Sequence, residues 1–172
     1  GRQANLETEF FDHPDAAARS LASPGGALVA LFSATMLLGA FLIFYVEPML
    51  AKMVLPRLGG SPAVWNTCMV FFQAGLLAGY AYAHLISQRL ALRAQAIVHL
   101  LVVCVPIIML PVALPAWNPP ADGSPITWLL LMLCAAVALP FVAISTGAPL
   151  MQKWFAGTGH KSSDDPYFLY AA

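Results

Sequence analysis

The amino-acid sequence predicts an all-α fold: a polytopic integral membrane helical bundle with four transmembrane helices plus the start of a fifth. Hydrophobic residues make up 60% of the 172-residue chain and charged residues only 9%, whereas soluble domains carry roughly 25% charged residues. The chain also contains several uncharged stretches of about 20 residues, the length that one bilayer crossing requires. Together these features place it among membrane proteins.

The predicted spans follow these uncharged stretches in order. The first corresponds to about 30 Å of helix at 1.5 Å per residue, and the second is equally free of charge. The third and fourth contain prolines, so we expect kinks whose unbonded carbonyl groups are satisfied by neighbouring helices or by Ser and Thr side chains. The spans are predicted at about 27–46, 64–86, 96–114 and 126–147.

Two of these helices have the same predicted start. Ser61-Pro62 precedes the second span and Ser124-Pro125 precedes the fourth, and in each pair Ser is a candidate N-cap with Pro at the first helical position. Trp65 and Trp128 follow at the same offset. If the connections alternate sides, both tryptophans lie at one face of the membrane, where aromatic belts form.

Polar segments flank the membrane domain, which is predicted over 26–172. Residues 1–25 predict a polar cytoplasmic segment with a short helix that has Pro14 in its first turn. Near the other end, Pro166 follows two aspartates that can cap a helix, which predicts a fifth helix starting near 166. Only a turn or two of it is present, so we expect further helices or a partner membrane protein to complete the bundle.

The distribution of Lys and Arg predicts the orientation. Six of these residues fall on one side of the predicted topology and two on the other, and cytoplasmic loops carry the excess. The N-terminus is therefore expected in the cytoplasm. The six are Arg2, Arg19, Arg89, Arg93, Lys153 and Lys161, and the two are Lys52 and Arg57.

Polar side chains within or beside the spans are the candidate substrate-contact residues, because such groups are costly in a membrane and often functional. Ser145 and Thr146 also have a structural interpretation, since they follow Pro140 by about a turn and can bond the carbonyl groups that it frees. The candidates are Glu47, Lys52, Asn66, Gln73, Ser145 and Thr146.

Glu47-Pro48 is the most distinctive of these positions. The first span is complete at Val46, so Glu47 is expected at the non-cytoplasmic boundary, with a helix bent along the interface after it. One interpretation is a hinge that ends the helix and carries a solvated glutamate. The alternative is a carboxylate that faces the mouth of the bundle and meets a cation, such as an amine. Lys52 lies five residues on and pairs with Glu47 only if the helix bends.

Small, sulfur-bearing and histidine residues have mainly structural interpretations. Gly75 and Gly79 form a GxxxG frame that suits close helix packing, either within the bundle or in a dimer. Three separated cysteines, Cys68, Cys104 and Cys134, are expected as buried small hydrophobes. His84 and His99 flank one loop and are either interfacial or a ligand pair.

Sequence motifs for catalysis are missing: the sequence contains no P-loop, HExxH or GxSxG motif. The chain is therefore expected not to be an enzyme, and to have no metal, cofactor or nucleic-acid partner. The lipid bilayer is its expected environment.

Two blocks of sequence resemble a known family. The first is FLIFYVEPMLAKMVLPRLGGSPAVWNTCMVFFQAGLLAGYAYAHLISQRL and the second is STGAPLMQKWFAGTGHKSSDDPYFLYAA. They resemble the N-terminal membrane region of bacterial membrane-bound spermidine-synthase-like proteins, also described as fused MFS/spermidine synthase proteins. The resemblance implies a multi-pass location in the bacterial inner membrane and a cytosolic aminopropyltransferase-like domain, which these 172 residues do not contain. The loop HLISQRLALRAQ lacks the aspartate and glycine of the major-facilitator signature.

Three functions remain open at this point. The first is a membrane module that anchors or serves such an aminopropyltransferase-like domain and passes it a polyamine-like or other small substrate. The second is an accessory structural subunit of a larger membrane complex. The third is part of a small-molecule transporter.

Overall fold

The computed structural model describes residues 24–108, 110–119 and 123–158, and 85% of these residues are helical. The described part contains no β-strand, which confirms the all-helical fold class. Five helices follow one another along the chain: α1 (Pro24–Leu58), α2 (Pro62–Arg89), α3 (Leu92–Ile108), α4 (Pro125–Ser145) and α5 (Gly147–Ala156).

Three helical segments are long and apolar enough to cross a membrane: α1, α2, and α4 together with α5. Helix α3 is apolar but has only 17 residues, fewer than the roughly 20 of a full crossing. Membrane-spanning character is thus supported by three segments. The short helix predicted within 1–25 and the fifth helix predicted near 166 lie outside the described residues.

The predicted starts of α2 and α4 are confirmed. The hydroxyl oxygen of Ser61 accepts a hydrogen bond from the backbone N–H of Val64 at 3.4 Å, and that of Ser124 accepts one from Thr127 at the same distance. Pro occupies the first helical position in both. The same capping chemistry therefore starts both helices.

Helices α2 and α4 run parallel and in contact along most of their lengths. Phe72 of α2 packs against Phe141 of α4 with ring centroids 4.9 Å apart, and both rings are fully buried. One turn further on, a Cβ added at Gly75 would lie 2.8 Å from the Phe141 ring, and one at Gly79 would overlap the Ser145 hydroxyl. The two glycines thus allow α2 to pack closely against α4, as small residues permit in lipid.

Helix α1 runs antiparallel to α2 and is not interrupted at Pro48. Leu50 and Val54 are fully buried in the core formed with the first turns of α2 and α4. Where the sequence favoured a helix that bends away along the membrane interface after Val46, α1 continues through Pro48 and packs against α2 and α4. Pro48 removes only one backbone donor, and the apolar face that follows it is stabilised by packing inside the bundle.

The beginning of α1 packs at the opposite end of the molecule. Met36 and Phe155 are buried together there, with Phe32 meeting Phe155 edge to face at 5.4 Å between ring centroids. Helix α5 was not foreseen, because the predicted fourth span ends at 147 and the residues that follow include Gln152 and Lys153.

The third predicted span ends earlier than expected, at Ile108 instead of Leu114. Pro111 explains this, since the residue before a proline is disfavoured in helical conformation and proline has no N–H to donate. The segment 110–119 is irregular. The guanidinium of Arg57, at the end of α1, donates to the carbonyl oxygen of Pro115 and holds this segment against the bundle.

Ser145 and Thr146 stabilise the break between α4 and α5. Ser145 donates to the carbonyl of Val142 at 2.8 Å, and Thr146 donates to that of Ala143 at 2.6 Å. In a helix, proline at 140 leaves the carbonyl four residues earlier without its donor, and neither side chain bonds that group. The expected repair of the Pro140 kink is therefore wrong.

The cysteines divide into two classes. Cys68 is buried in the contact between α2 and α4, as expected. Cys104 and Cys134 are exposed on the outer surface of the bundle, so the expectation of burial is wrong for them. Thiols are weakly polar and tolerate an apolar environment.

Candidate functional site: a groove between α1 and α2

A groove of about 770 Å³ lies between the middle of α1 and one face of α2, with the α4–α5 break forming part of its wall. Several lining side chains are exposed, so the space opens to the outside of the bundle along one flank. Most of the lining is aliphatic or aromatic. The polar lining residues are Ser33, Glu47, Gln73 and Tyr80.

Two predicted site residues, Glu47 and Gln73, line this groove together. About 16 Å of helix separates Glu47 from the end of α1 at Leu58, and the same length separates Gln73 from the start of α2 at Pro62. A turn at Gly59, whose φ of +76° favours glycine, joins the two antiparallel helices. The hairpin thus places Glu47 and Gln73 at the same level, well inside its closed end.

Glu47 is the only Asp or Glu among the described residues, which include five Lys and Arg residues. Its side chain is partly buried in the groove wall. On the continuous helix, Lys52 lies about 140° around the axis from Glu47, is exposed, and does not line the groove. An ion pair between the two, which required a bend at Pro48, therefore does not form.

Further hydrogen-bonding groups accompany this carboxylate. Pro48 has no N–H, so the carbonyl of Phe44, a groove-lining residue, lacks the donor of an ordinary helical bond. Nearer the start of α1, the Ser33 hydroxyl is buried and has no hydrogen-bond partner in the described part of the chain. The groove therefore combines an apolar wall with the Glu47 carboxylate and a few further hydrogen-bonding groups, of which the Ser33 hydroxyl is itself buried.

The remaining predicted site residues lie elsewhere. Lys52 and Asn66 are exposed and outside the groove. Ser145 and Thr146 are buried and bonded within the bundle, although their neighbours Ile144 and Ala148 line the groove wall. The six candidates therefore separate into one pair at a common site, two surface residues and two residues of the helix break.

Comparison of the chain with protein-family models, with curated proteins and with solved structures finds no match. The groove must therefore be interpreted from its own chemistry.

A second polar cluster, between α3 and the α4–α5 break, was missed in the sequence. Gln95 is buried and bridges two elements: it donates to the carbonyl of Leu90 at 2.8 Å and accepts from the indole N–H of Trp154 at 3.0 Å. His99 contacts the hydroxyl of Thr146 at 3.5 Å. A glutamine in the first turn of an apolar helix was the only available signal for this cluster.

The two histidines have different environments. His84 is exposed and pairs with Gln88 one turn later at 2.9 Å, whereas His99 is partly buried beside Thr146 and Trp154. Among the described residues, no group of three or more His, Cys, Asp or Glu side chains is placed to hold a metal ion.

Proposed function

We propose that this chain is an integral membrane module that binds a small organic amine with a hydrocarbon stem in the groove between α1 and α2. The placement of Glu47 carries the proposal. It is the only carboxylate of the described residues, and among them no basic side chain lines the mostly apolar groove beside it. A carboxylate in such surroundings is costly unless a cation compensates it.

The groove chemistry favours an ammonium group over a metal ion. One carboxylate, one amide and one freed carbonyl can each accept a hydrogen bond from an ammonium group, whereas hard cations require six or more oxygen ligands. The apolar stretch of wall from Ile43 to Val29 accommodates a hydrocarbon stem. An amphiphilic amine therefore matches both the hydrogen-bond acceptors near Glu47 and the apolar wall.

The biological setting that we propose follows from the resemblance to spermidine-synthase-like proteins. In this setting the module resides in a bacterial inner membrane and anchors or serves a cytosolic aminopropyltransferase-like domain, to which polyamine-like amines are substrates. Determining the complete reading frame of the source gene tests this part. A frame that ends directly after residue 172 would contradict a fused domain.

The amine site is tested by binding to the purified chain in lipid nanodiscs. Dodecylamine is expected to bind at least about tenfold more tightly than dodecanol, which corresponds to about 1.4 kcal/mol, because only the amine carries a charge that Glu47 compensates. Glu47→Gln should remove this preference while leaving the helical content unchanged. Equal binding of amine and alcohol to the original chain would contradict the proposal.

Two matched substitutions of amide side chains distinguish binding in the groove from binding elsewhere on the surface. Gln73→Leu should weaken dodecylamine binding several-fold, whereas Asn66→Leu, the same change at an exposed position outside the groove, should leave it unchanged. Weakening of the same size by both variants would show that the amine partitions into the lipid or binds nonspecifically.

A transporter remains a second candidate because the α4–α5 break borders the groove. Interrupted helices at binding sites are a recurring feature of secondary transporters, and Ile144 and Ala148 flank the break and line the groove. Uptake of a radiolabelled amine into proteoliposomes that Glu47→Gln abolishes would support transport. Binding without uptake would favour a module that only holds the amine.

A further inference from the structure

A second pocket, of about 410 Å³, lies near the end of α2 and against α5. Its lining differs from that of the groove, because most of the side chains are polar or basic. They are Tyr80, His84, Ser87, Gln88 and Lys153, together with Ala83 and Pro149. The Arg89 and Arg93 side chains lie at the same end of the bundle, at the α2–α3 connection.

The charge of this pocket is uncompensated in the described part of the chain. The only described carboxylate, Glu47, lies level with Gln73, about 16 Å along α2 from His84, so Lys153 has no carboxylate partner among these residues. Lys153 is exposed, and its ammonium group offers three hydrogen-bond donors. The His84–Gln88 pair and the Ser87 hydroxyl add further polar groups along one face of α2.

An apolar stripe leads away from the pocket along the same face of α2. Leu77 is 71% exposed and lies seven residues before His84, which places both side chains within about 20° on the helix surface. Tyr80 lies between them, is half exposed and lines both the pocket and the groove. A ligand with a polar head and a hydrocarbon chain therefore matches this face of α2, which is polar at the pocket and apolar beyond it.

We propose that this pocket binds the phosphate headgroup of an anionic phospholipid, with one acyl chain lying along Tyr80 and Leu77. Basic pockets between transmembrane helices near the membrane surface are suited to such headgroups. The site shares Tyr80 with the amine groove, but its other polar and basic groups do not line the groove, and the proposal does not depend on amine binding. The bilayer is the source of the ligand, because the apolar stripe is continuous with the lipid-facing surface of α2.

Native mass spectrometry of the full chain, released from detergent with added lipid, tests this proposal. Phosphatidylglycerol is expected to remain bound in preference to phosphatidylcholine with identical acyl chains. Lys153→Gln should lower the retained phosphatidylglycerol about fivefold, the effect of one basic residue near an anionic lipid surface. Lys52→Gln removes the same charge at the opposite end and should have no effect.

Three results would overturn the proposal. Equal retention of the two lipids would show that the headgroup charge is not recognised. Equal losses in Lys153→Gln and Lys52→Gln would show a general attraction between the basic chain and anionic lipid. Displacement of phosphatidylglycerol by millimolar inorganic phosphate would assign the pocket to a soluble phosphate compound.

Discussion

Helix α2 has two faces that pack in opposite ways. One face, with Cys68, Phe72, Gly75 and Gly79, lies directly against α4, and its glycines leave no room for an added methyl group. The other face, with Gln73, Leu76 and Tyr80, borders the groove toward α1. The same helix is thus tightly packed against α4 on one side and borders an open groove on the other.

The difference separates the contact that stabilises the fold from the groove that is proposed to bind the amine. Association of helices in lipid depends on close packing more than on the hydrophobic effect, and the α2–α4 contact supplies that packing. Helix α1 is held at its two ends, by Leu50 and Val54 near one and by Met36 near the other. Its middle can therefore border a cavity without loss of the fold.

The largest effect is expected from removing a ring in the closed contact. Phe141→Ala should lower the free energy of unfolding by about 3 kcal/mol, because the fully buried ring leaves a cavity beside Phe72. Phe44→Ala truncates a groove-lining ring that is 75% exposed and should cost less than about 0.5 kcal/mol. Unfolding in mixed micelles measures both. A similar loss in free energy of unfolding for the two variants would contradict the difference between the α2–α4 contact and the groove.

A smaller effect is expected from adding one methyl group to a glycine in the α2–α4 contact and, separately, to a glycine in the groove wall. Gly79→Ala should destabilise by about 2 kcal/mol, since the new Cβ overlaps Ser145 and lies 3.1 Å from the carbonyl of Val142. Gly39→Ala, in the groove wall of α1, meets nothing within 4 Å and should be neutral or stabilising by up to about 1 kcal/mol. Thermal unfolding of the two variants side by side checks the prediction, and destabilisation by Gly39→Ala would show that the groove is closed.

Gln95, which is buried, and Gln73, which lines the groove, test the same difference with polar side chains. Gln95→Leu should cost about 1 kcal/mol, because it leaves the Trp154 indole N–H and the Leu90 carbonyl without their partner. Gln73→Leu should cost nothing measurable, because Gln73 is exposed in the groove. Stability is measured in the same micelles for both. Equal destabilisation would assign Gln73 a structural role.

The smallest effect on stability, but a large one on binding, is expected from filling the groove. Gly39→Leu should change the free energy of unfolding by less than about 1 kcal/mol, while its side chain occupies space that the amine stem requires. Ala27→Leu makes a larger side chain on the same helix outside the groove and serves as the control. Undiminished dodecylamine binding by Gly39→Leu would exclude this groove as the site.

The helical class, the apolar membrane-spanning segments and the starts of α2 and α4 could be predicted from the sequence alone. These properties depend on local chemistry: apolar run length decides what can cross a bilayer, and the Ser-Pro pairs at 61–62 and 124–125 satisfy the first amide groups of α2 and α4. Glu47 and Gln73 were also identifiable, because each is a polar residue in apolar surroundings. Their placement in one groove was not.

The end of α1 and the surroundings of its polar residues depend on packing between helices. Pro48 favours a helix end locally, but burial of Leu50 and Val54 against α2 and α4 offsets the loss of one hydrogen bond. The Trp154–Gln95 and Thr146–His99 contacts likewise join residues more than 45 positions apart. Long-range packing determines these features, because the spacing of apolar residues along the chain does not specify which helices contact each other.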